Sequence, residues 1–418
     1  MSSSISKFIR LNEWPLSPEE SLLILASKIK LDADDSARME VVVNGALDWS
    51  VVMRYADALG MNPLLYKHLS QMKSAFPVPE DVMRLLKKRY RRESIRNLRI
   101  YGQLNQILEA LNRSGSPIIL LKGILLAKWV YGDIGLRPMN DIDILCRQED
   151  AHTLRSTLVG LGYTEKTIYQ GPLQQSILAE ESMHLPPFHK PGFFMVEVHT
   201  NLFTGTCDDF SAMKMLWDNA VPLELYGKLI HCLSPEYQLL YLSIHLYRHI
   251  IRAQLNLFWF CDIHEFIGAH KNEINWEGFW SMADSLGEGS NVETLFDLLA
   301  RHWNTQVPEK LLFSRGGDIG KLNLRAIIRG GCDKNTPRVG FLADYVRKLK
   351  GVRKIEGWKN RSRYLMRYFW PERGYLMDRY HITNTYAVPL YYALHPCILF
   401  NRAIVSLLYN VVSIFRNK

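Results

Sequence analysis

The chain has no CxxC pair, no low-complexity tract and no fixed-period repeat. Its six cysteines, Cys146, Cys207, Cys232, Cys261, Cys332 and Cys397, are scattered, several of them in apolar runs. That pattern argues against a disulfide framework or a zinc ribbon and fits a reducing, cytoplasmic setting. Long uninterrupted apolar runs are also missing. The stretch from Ala387 to Phe415 is strongly apolar, but Asn401-Arg402 divides it, and the remainder falls short of the ~20 residues a bilayer-spanning helix needs. No transmembrane helix is expected. The stretch either packs against helical structure or makes peripheral membrane contact beside Arg402, Arg416 and Lys418. The opening MSSSISKFIRLNEW has no apolar core of a secretory leader, so the mature chain is expected to begin near Met1.

What is present is ordinary globular material. With 418 residues, 47% hydrophobic and 22% charged, the chain is long enough for two or three domains and too apolar for disorder. The net charge of +9 attracts polyanions, whether nucleotide, nucleic acid or anionic lipid, without choosing among them.

Residues 18 to 114 read as helical. Ser17-Pro18-Glu19-Glu20 is a capping sequence, and a long basic amphipathic helix is expected from Asp81 to Asn112, stopping at Arg113-Ser114-Gly115-Ser116-Pro117. The pattern then changes. A short apolar run, IILL, leads through Lys122-Gly123 into a helical stretch ending near Tyr131, and DIDILC from Asp141 to Cys146 reads as a strand. A helix is expected from Glu149 to Leu161, and FFMVEVHTNLF around Glu197 reads as a further strand. The expected fold is α+β, a small mixed-sheet core flanked by helical regions. Its parts are an N-terminal helical region 1–114, a catalytic α+β domain 115–206 and a helical domain 207–418.

Asp141-Ile142-Asp143 in a strand puts two carboxylates on one face, with Ile142 and Ile144 on the other. Two adjacent acids repel unless a cation neutralises them, and hard oxygen ligands suit Mg²⁺ or Mn²⁺ rather than zinc. The alternative is a solvated edge strand. Glu197 stands in the apolar run Val196-Glu197-Val198-His199, where an acid needs a partner; a half-exposed polar strand face is the alternative reading. Lys122-Gly123 at a strand-to-helix turn offers backbone N–H groups to phosphate.

The run LLKGILLAKWVYGDIGLRPMNDIDILC, followed by FFMVEVHTNLF, resembles the uncharacterised nucleotidyltransferases of the polymerase-β-like superfold. SPEYQLLYLSIHLYRH and FWFCDIHEF resemble that family's downstream region. The resemblance implies that Asp141 and Asp143 hold catalytic metals and that Glu197 is the third carboxylate, which also helps deprotonate the acceptor. It places Gly123 beside the triphosphate. The chain departs from the broader superfamily in having Lys122-Gly123 where Gly-Ser is usual.

The expected activity is metal-dependent transfer of a nucleoside monophosphate from an NTP, with ATP the leading choice, to a hydroxyl acceptor. That acceptor is a small molecule, a protein or RNA. The competing class is a catalytically silent protein of the same fold that binds RNA or an envelope partner.

Supporting positions follow from charge. Lys122 and Arg137 are candidates for phosphate contact, although Arg137-Pro138 equally braces the turn before the strand. His199 either orients Glu197, contacts nucleotide or stands on an exposed strand. His184 and His189 are weaker candidates. His245 and His249, one helical turn apart, lack a third ligand at zincin spacing and read as structural. Asp262 either points into the cleft or pairs within a helix bundle. The basic clusters KKRYRR at 87–92, RKLKGVRK and WKNRSRYLMR have a composition that suits nucleic acid or a solvated helix face.

Overall fold

A computed structural model of the chain describes residues 16–72, 78–165, 185–203, 209–250, 255–308, 324–332, 357–371 and, with short interruptions, 373–401. His184, Cys207, the RKLKGVRK cluster and residues 402–418 of the apolar tail lie outside the described residues.

Five helices open the chain: α1 (Pro18–Ala26), α2 (Ala33–Asn44), α3 (Trp49–Ala58), α4 (Asn62–Gln71) and α5 (Glu80–Ser114). The capping box expected at α1 is formed. The Glu20 backbone N–H donates to Ser17 Oγ at 3.2 Å, and the Ser17 N–H donates to Glu20 Oε2 at 2.8 Å, which satisfies two helix-end donors at once. Asp32 and Asp48 cap α2 and α3 by side-chain acceptance alone, from the Asp35 N–H and from the Ser50 and Val51 N–H groups. The 35-residue α5 ends at Gly115, whose φ of 70° closes the helix in the left-handed region.

A seven-stranded mixed sheet follows, ordered β3-β4-β5-β2-β1-β7-β6. Its strands are β1 (Ile118–Leu120), β2 (Asp141–Cys146), β3 (Thr164–Glu165), β4 (Phe188–His189), β5 (Met195–His199), β6 (Val221–Leu225) and β7 (Lys228–Cys232). Helix α6 (Gly123–Trp129) joins β1 to β2, α7 (Ala151–Gly160) follows β2, and α8 (Asp209–Asp218) precedes β6. The architecture is α+β, as expected.

The sequence reading expects only helices from Asp208 onward. The β6–β7 hairpin interrupts them, and β7 pairs in parallel with β1, Ile119 opposite His231. Helical structure then resumes with α9 (Pro235–Ile250), α10 (Phe258–His270), α11 (Trp276–Ser285), α12 (Gly289–Trp303), α13 (Leu324–Cys332) and α14 (Trp358–Phe369).

Two apolar clusters sandwich the sheet. One face carries Ile118, Leu120, Ile142, Ile144, Val196 and Val198, packed on Leu104, Ile107, Leu108 and Leu111 of α5 and Leu154 and Leu158 of α7. The opposite face contributes Ile119, Leu121 and Leu145 to a larger cluster with α1 to α4 and α9 to α12. That cluster contains the stacked Phe260 and Trp303 rings, centroids 4.7 Å apart. The second face is the one on which the acids lie.

Candidate active site

β2 and β5 run in parallel with Asp143 opposite Glu197 and Leu145 opposite His199, while Asp141 lies opposite Met195. The side-chain period of two therefore puts Asp141, Asp143, Glu197 and His199 on one face and sends the alternating isoleucines and valines into the α5 side. Asp143 and His199 are each 5% exposed, whereas Asp141 and Glu197 are half-buried. β1 braces the pair, its end held by Leu121 N–H donating to the Asp143 carbonyl at 3.1 Å.

Burial and crowding dictate how these acids titrate. Asp141 is pushed up to about 7 by burial and by the Asp143 and Glu197 carboxylates. Glu197 is raised for the same reasons, burial first and Asp143 second. Asp143 goes the other way. Burial would raise it, but the Lys122 ammonium and the His199 hydrogen bond overcome that and hold it well below the usual carboxylate range. The contacts are a Lys122 Nζ to Asp143 Oδ1 pair at 3.4 Å and His199 Nε2–H donating to the same oxygen at 2.9 Å. His199 Nε2 also lies 3.9 Å from Glu197 Oε2. Asp143 thus stays charged while Asp141 and Glu197 are both shifted upward, the arrangement expected of crowded acids without a cation between them.

Among the described residues, Asp143, Glu197 and His199 each offer a ligand atom, all within 4.8 Å of one another. Two carboxylates and an imidazole, with the Asp141 carboxylate nearby, are a donor set for a metal ion. His199 enters this group where the sequence reading places it with the nucleotide.

Lys122 adopts φ 45°, ψ −115°, a conformation that is costly for a side chain carrying a Cβ, of order 1–3 kcal/mol. The turn sends the ammonium to Asp143 and over the Tyr241 ring, 5.4 Å from its centroid. Burial, the largest influence, would lower this ammonium's pKa, but Asp143, Tyr241 and Asp141 together outweigh it, so Lys122 remains protonated. Gly123 is required next to it by close approach, since a Cβ there would meet Arg137 Nη1 at 2.6 Å and Met139 Cγ at 3.1 Å.

Arg137 is paired with Asp262. Its Nε and Nη2 donate to Asp262 Oδ1 and Oδ2 at 2.8 and 2.7 Å, it is 4% exposed, and only Nη1 faces Gly123. A contact between Arg137 and phosphate would have to share a guanidinium already engaged in a bidentate pair. Asp262 also accepts from Tyr131 Oη at 2.8 Å, so this acid pairs between α10 and the turn before β2.

Two α9 residues complete the surroundings, and the sequence reading does not assign them to the site. Tyr241 is pushed up to about 12, chiefly by burial. His245 falls well below its ordinary value through burial and then through Lys122 and His249, so it stays neutral beside the ammonium. The His245 and His249 rings are 4.4 Å apart and both pack on Trp259, in keeping with a structural role. The signal for Tyr241 and His245 was their i, i+4 spacing on α9, which alone does not say what the helix faces. His189, on β4, offers its carbonyl to Thr164 Oγ1 at 3.2 Å.

The family described as uncharacterised nucleotidyltransferase matches residues 45–304. No curated protein and no solved structure matches the chain.

Proposed function

Because the chain belongs to the uncharacterised nucleotidyltransferase family, we propose that it moves a nucleoside monophosphate from an NTP to a hydroxyl acceptor and releases pyrophosphate. One observation carries the reading. Asp141, Asp143 and Glu197 converge on one face of two paired strands, with Asp143 directly opposite Glu197. Three acids so placed have their best use in holding divalent cations around a triphosphate.

Asp143 and Glu197, with Asp141 beside them, are the carboxylates that would hold Mg²⁺ or Mn²⁺. Such an ion supplies charge neutralisation at the transferring phosphoryl group. The chain's own residues do the rest. Lys122, on its strained turn, presents a fixed positive charge to the phosphate oxygens next to Gly123. Glu197, whose carboxyl is raised by burial and by Asp143, is suited to take the acceptor hydroxyl's proton. His199 donates to Asp143 and fixes that carboxylate's orientation. Arg137, locked to Asp262, holds the turn that delivers Asp141. ATP is the proposed donor, and the setting proposed is the cytoplasm.

The test is equilibrium binding of each labelled NTP with and without Mg²⁺ or Mn²⁺, for the native chain and for Asp143→Asn. Metal-dependent binding that drops at least tenfold in Asp143→Asn is expected. Metal-independent binding, or equal binding by both proteins, overturns the reading in favour of a catalytically silent binding module.

A further inference from the structure

Helix α5 carries a row of cations that meets few acids among the described residues. Arg84, Lys87, Lys88, Arg91 and Arg92 are exposed on one face of it and, with Ile95, line a depression of about 460 Å³. Arg89, which lies off that face, behaves differently. It turns inward to Asp57 Oδ2 at 2.6 Å and Asn62 Oδ1 at 2.9 Å. Among the described residues, only Arg92 on this face has an acid within ion-pair distance, Glu93 at 3.3 Å. Glu93 is itself buried, and no other Asp or Glu occurs between Val82 and Leu108.

A solvated helix face ordinarily alternates signs at i, i+4. Here Arg84, Lys88, Arg92 and Arg96 follow one another at that spacing, each pair repelling. Such a row is stabilised by a polyanion from outside.

The row also leads somewhere. Its cations recur about every 6 Å along the axis, and Arg84 to Arg96 spans about 18 Å. At the far end Arg96 Nη2 donates to Asn140 Oδ1 at 2.5 Å, immediately before Asp141. Arg99 Nη2 donates to the Gly192 carbonyl at 3.1 Å. Both guanidinium groups sit over the Phe194 ring, at 5.5 and 5.6 Å, and Phe194 immediately precedes β5.

We propose that this face of α5 is a docking track for the sugar–phosphate backbone of a single-stranded nucleic acid whose terminal hydroxyl is the acceptor. The acceptor role rests on the nucleotidyl-transfer reading; the docking does not. In the step it serves, the terminal hydroxyl oxygen bonds to the α-phosphorus of the NTP and the bond from that phosphorus to the bridging oxygen breaks. Pyrophosphate leaves with that oxygen, and the hydroxyl proton passes to the Glu197 carboxylate.

A single strand suits the site better than a duplex because Asp143 is 5% exposed and only a thin chain end reaches it. A lipid surface suits the track poorly. The exposed apolar residues on or beside this face, Leu85, Ile95 and Leu98, are interleaved with cations, whereas a helix lying in a membrane separates its apolar face from its charges. The apolar face of α5 is already spent on the core. Ile95 and Leu98 offer contacts to base faces between the phosphates.

The experiment uses the full chain and a fluorescein-labelled single-stranded 15-mer, as RNA and as DNA, titrated by anisotropy between about 50 and about 200 mM salt. The test variant is Lys87→Glu/Lys88→Glu/Arg91→Glu. A variant of equal net charge, Lys128→Glu/Lys214→Glu/Lys271→Glu, changes three exposed lysines elsewhere. The expected result is a loss of at least tenfold in the test variant alone. Its log–log salt slope should become shallower by about 0.7 for each phosphate contact removed, with Mn²⁺-dependent NTP binding unchanged in both variants. Preference for RNA over DNA assigns a reader of the 2′-hydroxyl, and equal binding assigns a backbone track; both support docking. Equal losses in the two variants, no binding of either strand, or sedimentation of the chain with phosphatidylserine vesicles in place of strand binding overturns it. Asp143→Asn separates the two readings, since it should bind the strand as the native chain does while losing metal-dependent NTP binding. Native protein that binds both strand and NTP but adds no labelled nucleotide to the strand end overturns the acceptor role and leaves the donor reading intact.

Discussion

At the scale of single residues, the Asp143 carboxylate is the most contested group in the molecule. One oxygen is shared by the Lys122 ammonium and the His199 imidazole, and it is also the oxygen a divalent ion would seek. Opposite unit charges 4 Å apart attract by about 4 kcal/mol at an effective dielectric of 20, so a fraction of that energy suffices to alter cation affinity. Replacing Lys122 with Met keeps the length and removes the charge. The expected outcome is that Mn²⁺ alone binds Lys122→Met about tenfold more tightly than the native chain, while NTP binding weakens because the phosphate-side cation is gone. Electron paramagnetic resonance titration of free Mn²⁺ measures the first and equilibrium dialysis the second; a Mn²⁺ affinity that does not rise would show that Lys122 does not guard the acids. Much of this site is legible in the sequence because a strand obeys a period of two. Asp141, Asp143 and Glu197 declare their shared face from spacing and from the valines and isoleucines between them. The partners of Lys122 are not legible, since Tyr241 and His245 reach it only through the packing of a helix more than a hundred positions away.

At the scale of elements, local chemistry explains both what the sequence discloses and what it hides. The capping box of α1 and the glycine stop of α5 are written in neighbouring residues and are found where expected. The β6–β7 hairpin is hidden. Its two central residues, Tyr226 and Gly227, both have positive φ, 55° and 71°, with Leu225 opposite Lys228; this is the primed turn that right-twisted hairpins prefer. Asn-Gly or Asp-Gly announces such a turn, and Tyr-Gly does not. Helix α4 shows how an element is docked by one buried group. His68 Nε2 meets the Lys28 carbonyl at 2.7 Å, beyond the end of α1, and burial, its largest influence, depresses its pKa to about 4. The unfolded chain therefore takes up this proton near pH 6.5 and the folded one only near 4. The histidine's contribution is complete above about 6.5 and is lost as pH falls toward 4, with a slope approaching 1.4 kcal/mol per unit. Asp141, raised to about 7, opposes this trend, so the whole-protein profile mixes the two. The difference between native chain and His68→Gln isolates it. Urea unfolding at pH 7 and pH 5 should show the native chain's advantage shrinking by about 2 kcal/mol at the lower pH; an unchanged advantage would mean that His68 is already charged when folded.

At the scale of the whole molecule, the question is what couples the sheet to the helices that roof its acidic face. The Arg137–Asp262 pair is the chief polar link, joining the turn before β2 to α10 across 125 positions of sequence. Tyr131 is bonded to the same carboxylate, and the Phe258 ring lies under the guanidinium at 5.1 Å. Composition could not reveal it, because RP and CD are ordinary dipeptides and only the tertiary fold brings them together. Both groups are nearly sealed from water, Arg137 at 4% and Asp262 at 1% exposure, so the energetics are asymmetric. Forming the pair yields little net stability because both charges are desolvated, yet removing one partner strands the other. Asp262→Ala is accordingly expected to cost about 3–5 kcal/mol, as a buried guanidinium loses two charge-assisted hydrogen bonds and Tyr131 loses its acceptor. The double variant Arg137→Met/Asp262→Leu, which removes both charges and restores apolar volume, should recover most of that loss. The two proteins should nevertheless part in function. The double variant keeps the fold but no longer pins the Arg137–Pro138 turn, so Asp141 loses its fixed position and metal-dependent NTP binding falls while unfolding free energy stays near native. Denaturant unfolding and NTP dialysis on the same preparations check both halves. A double variant that binds NTP like the native chain would show that the link serves stability alone, and a single variant within 1 kcal/mol of native would show that water reaches the pair.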